Sequence, residues 1–218
     1  MSDDSVSPPK AKETPLLLSF VSKRIYDLQR RYLSTIERPA AASTLAALRH
    51  AAGNPVGTDP NIWLFEFADF PENLQGREGH PSTAEKAVHL AFTLYAIHQQ
   101  SQLNGMYQSG PEHSLGRAIA QLDRQQRNAG TTDPIGKLPS RFAALGTATD
   151  FDEISHYARQ LITQLRGAGI PLDYGRLAIQ FDRLQNPAQA GGVRLAWGRE
   201  FAGFRDDDTT STTKQKEK

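Results

Sequence analysis

The sequence predicts an all-α protein made of two small helical bundles. Three observations carry this: apolar residues recur at intervals of three and four along most of the chain, period-two alternation is almost absent, and capping and stop signals fall at helix-length intervals. Leu17, Val21, Ile25, Leu28 and Tyr32 form the first stripe and predict an amphipathic helix over about residues 15 to 36, with Lys23, Arg24, Arg30 and Arg31 off the stripe. Pro39 suits the first turn of a second helix that ends near Gly53 and turns Leu45, Leu48 and its alanines inward. Turn residues surround Ile62-Trp63-Leu64-Phe65, which fits a short strand or a short buried helix; we take the helix, with Trp63 in the core. Ser82-Thr83-Ala84-Glu85 is a capping box, and Ala87, Leu90, Ala91, Leu94, Ile97 and His98 continue it as a helix to about residue 102.

Asn104-Gly105 and Ser109-Gly110-Pro111 then break the chain. We place a domain boundary there, giving an N-terminal helical domain over 15–105 and a C-terminal bundle over 111–205. Ser114 to Asn128 resumes with Leu115, Ile119 and Leu122 inward, and Ala129 to Pro134 ends it. Further helices are predicted near 138–146, 151–167, 173–185 with Asp173 as N-cap, and 191–205 with Val193, Trp197 and Phe204 on one side. Residues 1–14 and 206–218 are polar, aperiodic and too poor in apolar side chains to offset chain entropy, so both tails are expected to be disordered.

The chain of 218 residues is 38% hydrophobic, with a mean hydropathy of −0.53, which supplies enough apolar material for a packed core. No apolar run is long enough to span a bilayer and the first residues do not resemble a secretion signal, so a cytoplasmic protein without membrane contact is expected. The absence of cysteine excludes disulfides, thiolate nucleophiles and cysteine metal sites. A net charge of +1 conceals segregation. Residues 16–50 carry six Lys/Arg against two acids, 51–116 two against seven, and 117–205 twelve against eight. The flanks are basic, mostly through arginine, and the middle is acidic.

Signatures of catalysis are missing. Gly130, Gly136 and Lys137 have the wrong spacing for a phosphate-binding loop and follow a helix rather than a strand. There is no G-x-S-x-G elbow. Of the six histidines none forms an H-x-x-x-H or H-E-x-x-H pair; Glu85 and His89, one helical turn apart, read as an ordinary ion pair. His98 continues an apolar stripe, where a buried ring would need a backbone, Gln99 or Gln100 partner. Asp152-Glu153 sits at a helix start, where acids suit the dipole. No catalytic residue, metal or cofactor is expected.

The arginines remain. At about 100° per residue, Arg117, Arg124 and Arg127 fall in one quadrant of their helix, opposite Leu115, Ala118, Ile119 and Leu122. Arg159 and Arg166 are likewise two turns apart on one face. Rows of guanidinium suit phosphate, because each donates two parallel hydrogen bonds and keeps its charge. A solvated face opposite a core gives the same pattern, and Asp123 interrupts the first row.

Several segments, read in order, resemble the CasB family, the small subunit of the type I-E Cascade CRISPR surveillance complex. They are LAALRHAAG (Leu45–Gly53), AVHLAFTLYAIHQQ (Ala87–Gln100), SLGRAIA (Ser114–Ala120), LPSRFAAL (Leu138–Leu145), IPLDYGRLAIQ (Ile170–Gln180) and VRLAWGREF (Val193–Phe201). Together they span roughly residues 16–205. The chain departs from the family pattern at His50, where a second basic residue is common, and at Tyr107, where histidine is common. The resemblance implies a non-catalytic, wholly helical subunit, usually present in two copies as a homodimer within the complex. It would contact the backbone and large subunits and help hold the guide RNA–target duplex and the displaced DNA strand.

It further implies phosphate contacts for Arg49, Arg117, Arg124, Arg141 and Arg159, which stand in or beside the matching segments. Arg30, Arg31 and Arg127 are added on charge alone, and Gly116 is a candidate for close helix packing. The alternative is a helical scaffold that contacts protein only, docking its acidic segment, including Glu66, Asp69 and Glu72, on a basic neighbour.

Overall fold

The computed structural model describes residues 13–129 and 137–213, and every regular element among them is helical. Gly130 and Gly136, the expected stop at 130–134 and the outer parts of both tails lie outside the described residues.

Helix α1 (Glu13–Leu33) buries the predicted stripe of Leu17, Val21, Ile25, Leu28 and Tyr32. Helix α2 (Arg38–Ala51) turns Ala41, Leu45, Leu48 and Ala51 inward. After a 3₁₀ turn at Pro60–Ile62 comes the short α3 (Trp63–Phe67), so the ambiguous stretch is helical. Trp63 is not in the core, however. It is 47% exposed and its Nε1 donates to the Gly57 carbonyl at 2.8 Å, while Ile62 and Glu66 take the inward positions. With a helix of five residues only one narrow face can point inward, and here that face carries a carboxylate.

Helix α4 (Thr83–Gln99) starts at the predicted capping box: Ser82 Oγ accepts from Glu85 N at 3.0 Å and Glu85 Oε2 accepts from Ser82 N at 2.7 Å. It is buried nearly all round, because α1, α2, α7 and α8 pack against it. Helices α5 (Leu115–Asn128), α6 (Lys137–Thr147), α7 (Phe151–Ala168), α8 (Tyr174–Leu184) and α9 (Pro187–Thr213) complete the fold. Asp150 and Asp173 cap α7 and α8 by accepting from Glu153 N at 2.8 Å and Arg176 N at 3.0 Å. Gly169, with φ 66°, ends α7. The last helix overruns its expected limits, beginning at Pro187 and continuing to Thr213. Once a helix is nucleated each further residue adds one backbone hydrogen bond, and a packed helix can thereby carry a polar end.

The expected boundary at 104–111 is a loop tied to both halves. The Gln29 side chain accepts from Tyr107 N at 2.8 Å and donates to the Tyr107 carbonyl at 3.0 Å. Leu172 N donates to the Met106 carbonyl at 3.0 Å. Because α1 packs on α8 and α4 on α7 and α8, one apolar cluster runs from Leu17 to Trp197. Tyr95 of α4 meets Tyr174 of α8 edge-on at 5.4 Å within it. Helices α5 and α9 cross closely at Gly116, where a Cβ would stand 2.7 Å from both Glu200 Cβ and the Trp197 carbonyl. Gly116 therefore serves close packing.

Candidate nucleic-acid interface

A helix ends with carbonyls that lack partners within it and with the negative pole of its dipole. At the end of α4 two arginines from different elements fill that need. Arg49, in the last turn of α2, donates from Nη1 to the Ala96 carbonyl at 3.4 Å. Arg166, in the last turn of α7, donates from Nη1 to Gln100 Oε1 at 2.8 Å and to the Ile97 carbonyl at 3.5 Å. Burial lowers the Arg49 pKa, the Arg166 guanidinium acts in the same direction and Tyr32 opposes. Arginine nonetheless stays charged at neutral pH, so two like charges face each other here. Neither forms an ion pair with a carboxylate among the described residues. A guanidinium has five N–H donors, and each of these has donors left over after anchoring itself to α4.

Arg159 extends the group. It lies on the same face of α7 two turns before Arg166, and its Nη2 would stand 3.2 Å from a Cβ built on Gly53, just past the end of α2. Arg49 thus stands with Arg166 over the carbonyls at the end of α4, and Gly53, just past α2, lies beside Arg159, which makes a basic seam.

The other expected contacts are placed as follows. Arg117 is exposed and Arg124 half-buried on one face of α5, whose opposite face of Leu115, Ala118, Ile119 and Leu122 is buried. Arg141 is half-buried on α6. Arg127 pairs with Asp123 at 3.2 Å and Arg30 with Glu37 at 3.0 Å, so carboxylates offset both. Arg31 donates from Nε to the Asp27 carbonyl at 3.3 Å. The structure therefore gathers Arg49 and Arg159 with Arg166, and leaves Arg117 and Arg124 as a row on a separate helix. Sequence spacing marked Arg166 as a partner of Arg159, but not as part of the expected contact set.

Two of the histidines, His89 and His98, are committed to the core in ways the sequence did not reveal. Glu85 is occupied by the capping box and by Gly76 N, so it does not pair with His89; instead His89 Nδ1 meets the buried Glu66 Oε1 at 2.7 Å. His98 is fully buried and its Nδ1 lies 2.9 Å from the Tyr174 hydroxyl, not from Gln99 or Gln100. Burial drives the His98 pKa down to about 3, with Arg166 adding to the shift and the backbone of Ile170 and Leu165 opposing it. Among the described residues no group of three His, Asp or Glu could hold a metal, and no helix is long and apolar enough to cross a membrane.

Comparison with known proteins agrees with the sequence resemblance. The family profile of the CRISPR-associated protein Cse2 matches residues 44–201. The crystal structure of CasB from Thermobifida fusca is 34% identical, with 85% of this chain and 97% of that one covered and a TM-score of 0.65. A Cse2-family CRISPR-associated protein from Thermus thermophilus shares the fold at 23% identity, with 84% and 97% covered and a TM-score of 0.57. No curated protein sequence matches the chain. A profile that matches well over half the residues, with a solved relative aligned along nearly its whole length, settles the family: the chain belongs to the Cse2 family of CRISPR-associated proteins.

Proposed function

We propose that this Cse2-family Cascade subunit is a non-catalytic nucleic-acid clamp, which stabilises the guide RNA–target duplex and the displaced strand through sequence-independent arginine–phosphate contacts. The observation that carries the reading is the meeting of Arg49 and Arg166 over the end of α4, with Arg159 in line. Like charges held together, with donors to spare and no carboxylate partner among the described residues, are suited to an anion. Guanidinium donors reach phosphate oxygens irrespective of base sequence. Opening a duplex against a guide is a nearly balanced exchange, so a few phosphate contacts on the displaced strand are enough to hold the loop open. Exposed Ile36, Leu64 and Leu103, each more than four-fifths accessible, offer apolar contacts to neighbouring Cascade subunits.

Photo-crosslinking in the assembled complex tests this. A benzophenone placed beside Arg49 or Arg159 is expected to form adducts with target-bound nucleic acid. Adducts with protein alone from both positions would replace the reading with a scaffold that contacts only its neighbouring subunits.

A further inference from the structure

The basic seam does not end at Arg159. This residue also lines an open groove of about 650 Å³ between the loop after α2 and the first turns of α7, with α4 as its floor. That volume is in the range of pockets for small ligands, about 300–1,000 Å³. The lining is of two kinds. Val56, Leu90 and Phe151 give apolar walls, and His156 also lines the groove. Lys86 and Arg159 bring two cations against a single exposed acid, Asp152.

The floor is fixed in place. Glu66 holds His89 from below at 2.7 Å, and the Thr93 hydroxyl donates to the His89 carbonyl at 2.9 Å, so neither polar residue of the floor is free to fill the groove. Gly53 keeps the rim open: its φ of +93° suits glycine, and a Cβ there would press on the Arg159 guanidinium. Apolar walls that include one aromatic ring, Phe151, beside a pair of cations match the two halves of a nucleotide, a base that stacks and a phosphate.

We propose that this groove binds one nucleoside 5′-phosphate unit, with its base against Phe151, Leu90 and Val56 and its phosphate on Arg159 and Lys86. The inference rests on the nucleic-acid reading above and deepens it: a strand that follows Arg166, Arg49 and Arg159 turns one base out of its path and into the groove.

The test uses the full chain with a single-stranded oligothymidine carrying 5-iodouracil, with adducts mapped by peptide mass spectrometry. The expected result is crosslinking to the Phe151–Arg159 segment. Ser155→Trp, which fills the groove and leaves Arg49 and Arg166 in place, is expected to abolish that adduct and weaken strand binding about tenfold, the factor a stacked base contributes. Lys86→Ala, a milder change at a half-buried position, is expected to weaken binding in the same direction with thermal unfolding unchanged. Excess thymidine 5′-monophosphate separates the sources: loss of the adduct means that the groove also takes the free nucleotide, and persistence means that it takes the unit only within a strand. If the strand binds with an arginine-dependent salt response but crosslinks elsewhere, and Ser155→Trp binds as the parent does, the groove assignment is overturned while the clamp stands. If neither this chain nor the assembled complex binds the strand, both fall.

Discussion

Replacing His98 by asparagine tests the core directly, because the histidine is ionisable and fully buried. In the folded chain its pKa is held at about 3, against 6.5 for the ordinary side chain. The folded value is the lower one, so between these two values the unfolded chain binds a proton that the folded chain refuses. Stability from this group is therefore complete above pH 6.5 and lost as the pH falls toward 3, at up to about 1.4 kcal/mol per pH unit. At about pH 4.5 the loss is about 2–3 kcal/mol, a large fraction of the stability of an ordinary domain. Asp182, whose carboxyl is pushed up by burial, acts in the opposite sense, but it is common to both proteins and cancels in their difference. Asparagine keeps a polar atom near the position of Nδ1 for the Tyr174 hydroxyl and cannot titrate. The assay is urea unfolding of both proteins at a series of pH values between neutral and acid. The variant is expected to be the less stable at neutral pH and to lose less stability on acidification, the gap narrowing by about 2–3 kcal/mol by about pH 4.5. Parallel pH profiles would refute the assignment of a buried neutral imidazole.

Three further outcomes follow from the packing. Gly116→Ala is expected to lower stability by about 1–2 kcal/mol in thermal unfolding, since its new methyl meets the α9 backbone and overpacking outweighs the gain in helix propensity. Ser82→Ala removes the N-cap of α4 and is expected to cost about 1 kcal/mol in the same measurement. Glu66→Ala leaves the His89 ring buried without its hydrogen-bond partner and is expected to destabilise by about 1–3 kcal/mol, read from the denaturation midpoint.

The local signals in the sequence were strong where one element decides its own structure. The α1 stripe and the α4 capping box were readable because periodicity and capping depend on neighbours within a turn or two. The partners of His89 and His98 were not, since Glu66 and Tyr174 reach them across 23 and 76 residues. Trp63 misled for a related reason: an apolar run of four residues does not show which side faces the core when the next inward residue after Ile62 is Glu66, whose carboxyl finds its partner in a distant imidazole. The interface divides the same way. The i, i+7 spacing of Arg159 and Arg166 on one helix face was legible, but their meeting with Arg49 depends on α2 and α7 both packing against α4. Likewise Arg30 and Arg127 read as free cations only until Glu37 and Asp123 are placed beside them.

The most direct test is the salt dependence of target binding by the assembled complex, compared between the parent chain and the double variant Arg49→Ala, Arg166→Ala. Each lost phosphate contact lowers the slope of log K against log salt by about 0.7–0.9, so the pair is expected to flatten it by up to about two. The same comparison with Arg117→Ala, Arg124→Ala measures the share of the α5 row, and the ion-paired Arg30 and Arg127 are expected to change the slope little. A slope that is unchanged when Arg49 and Arg166 are removed would contradict the clamp.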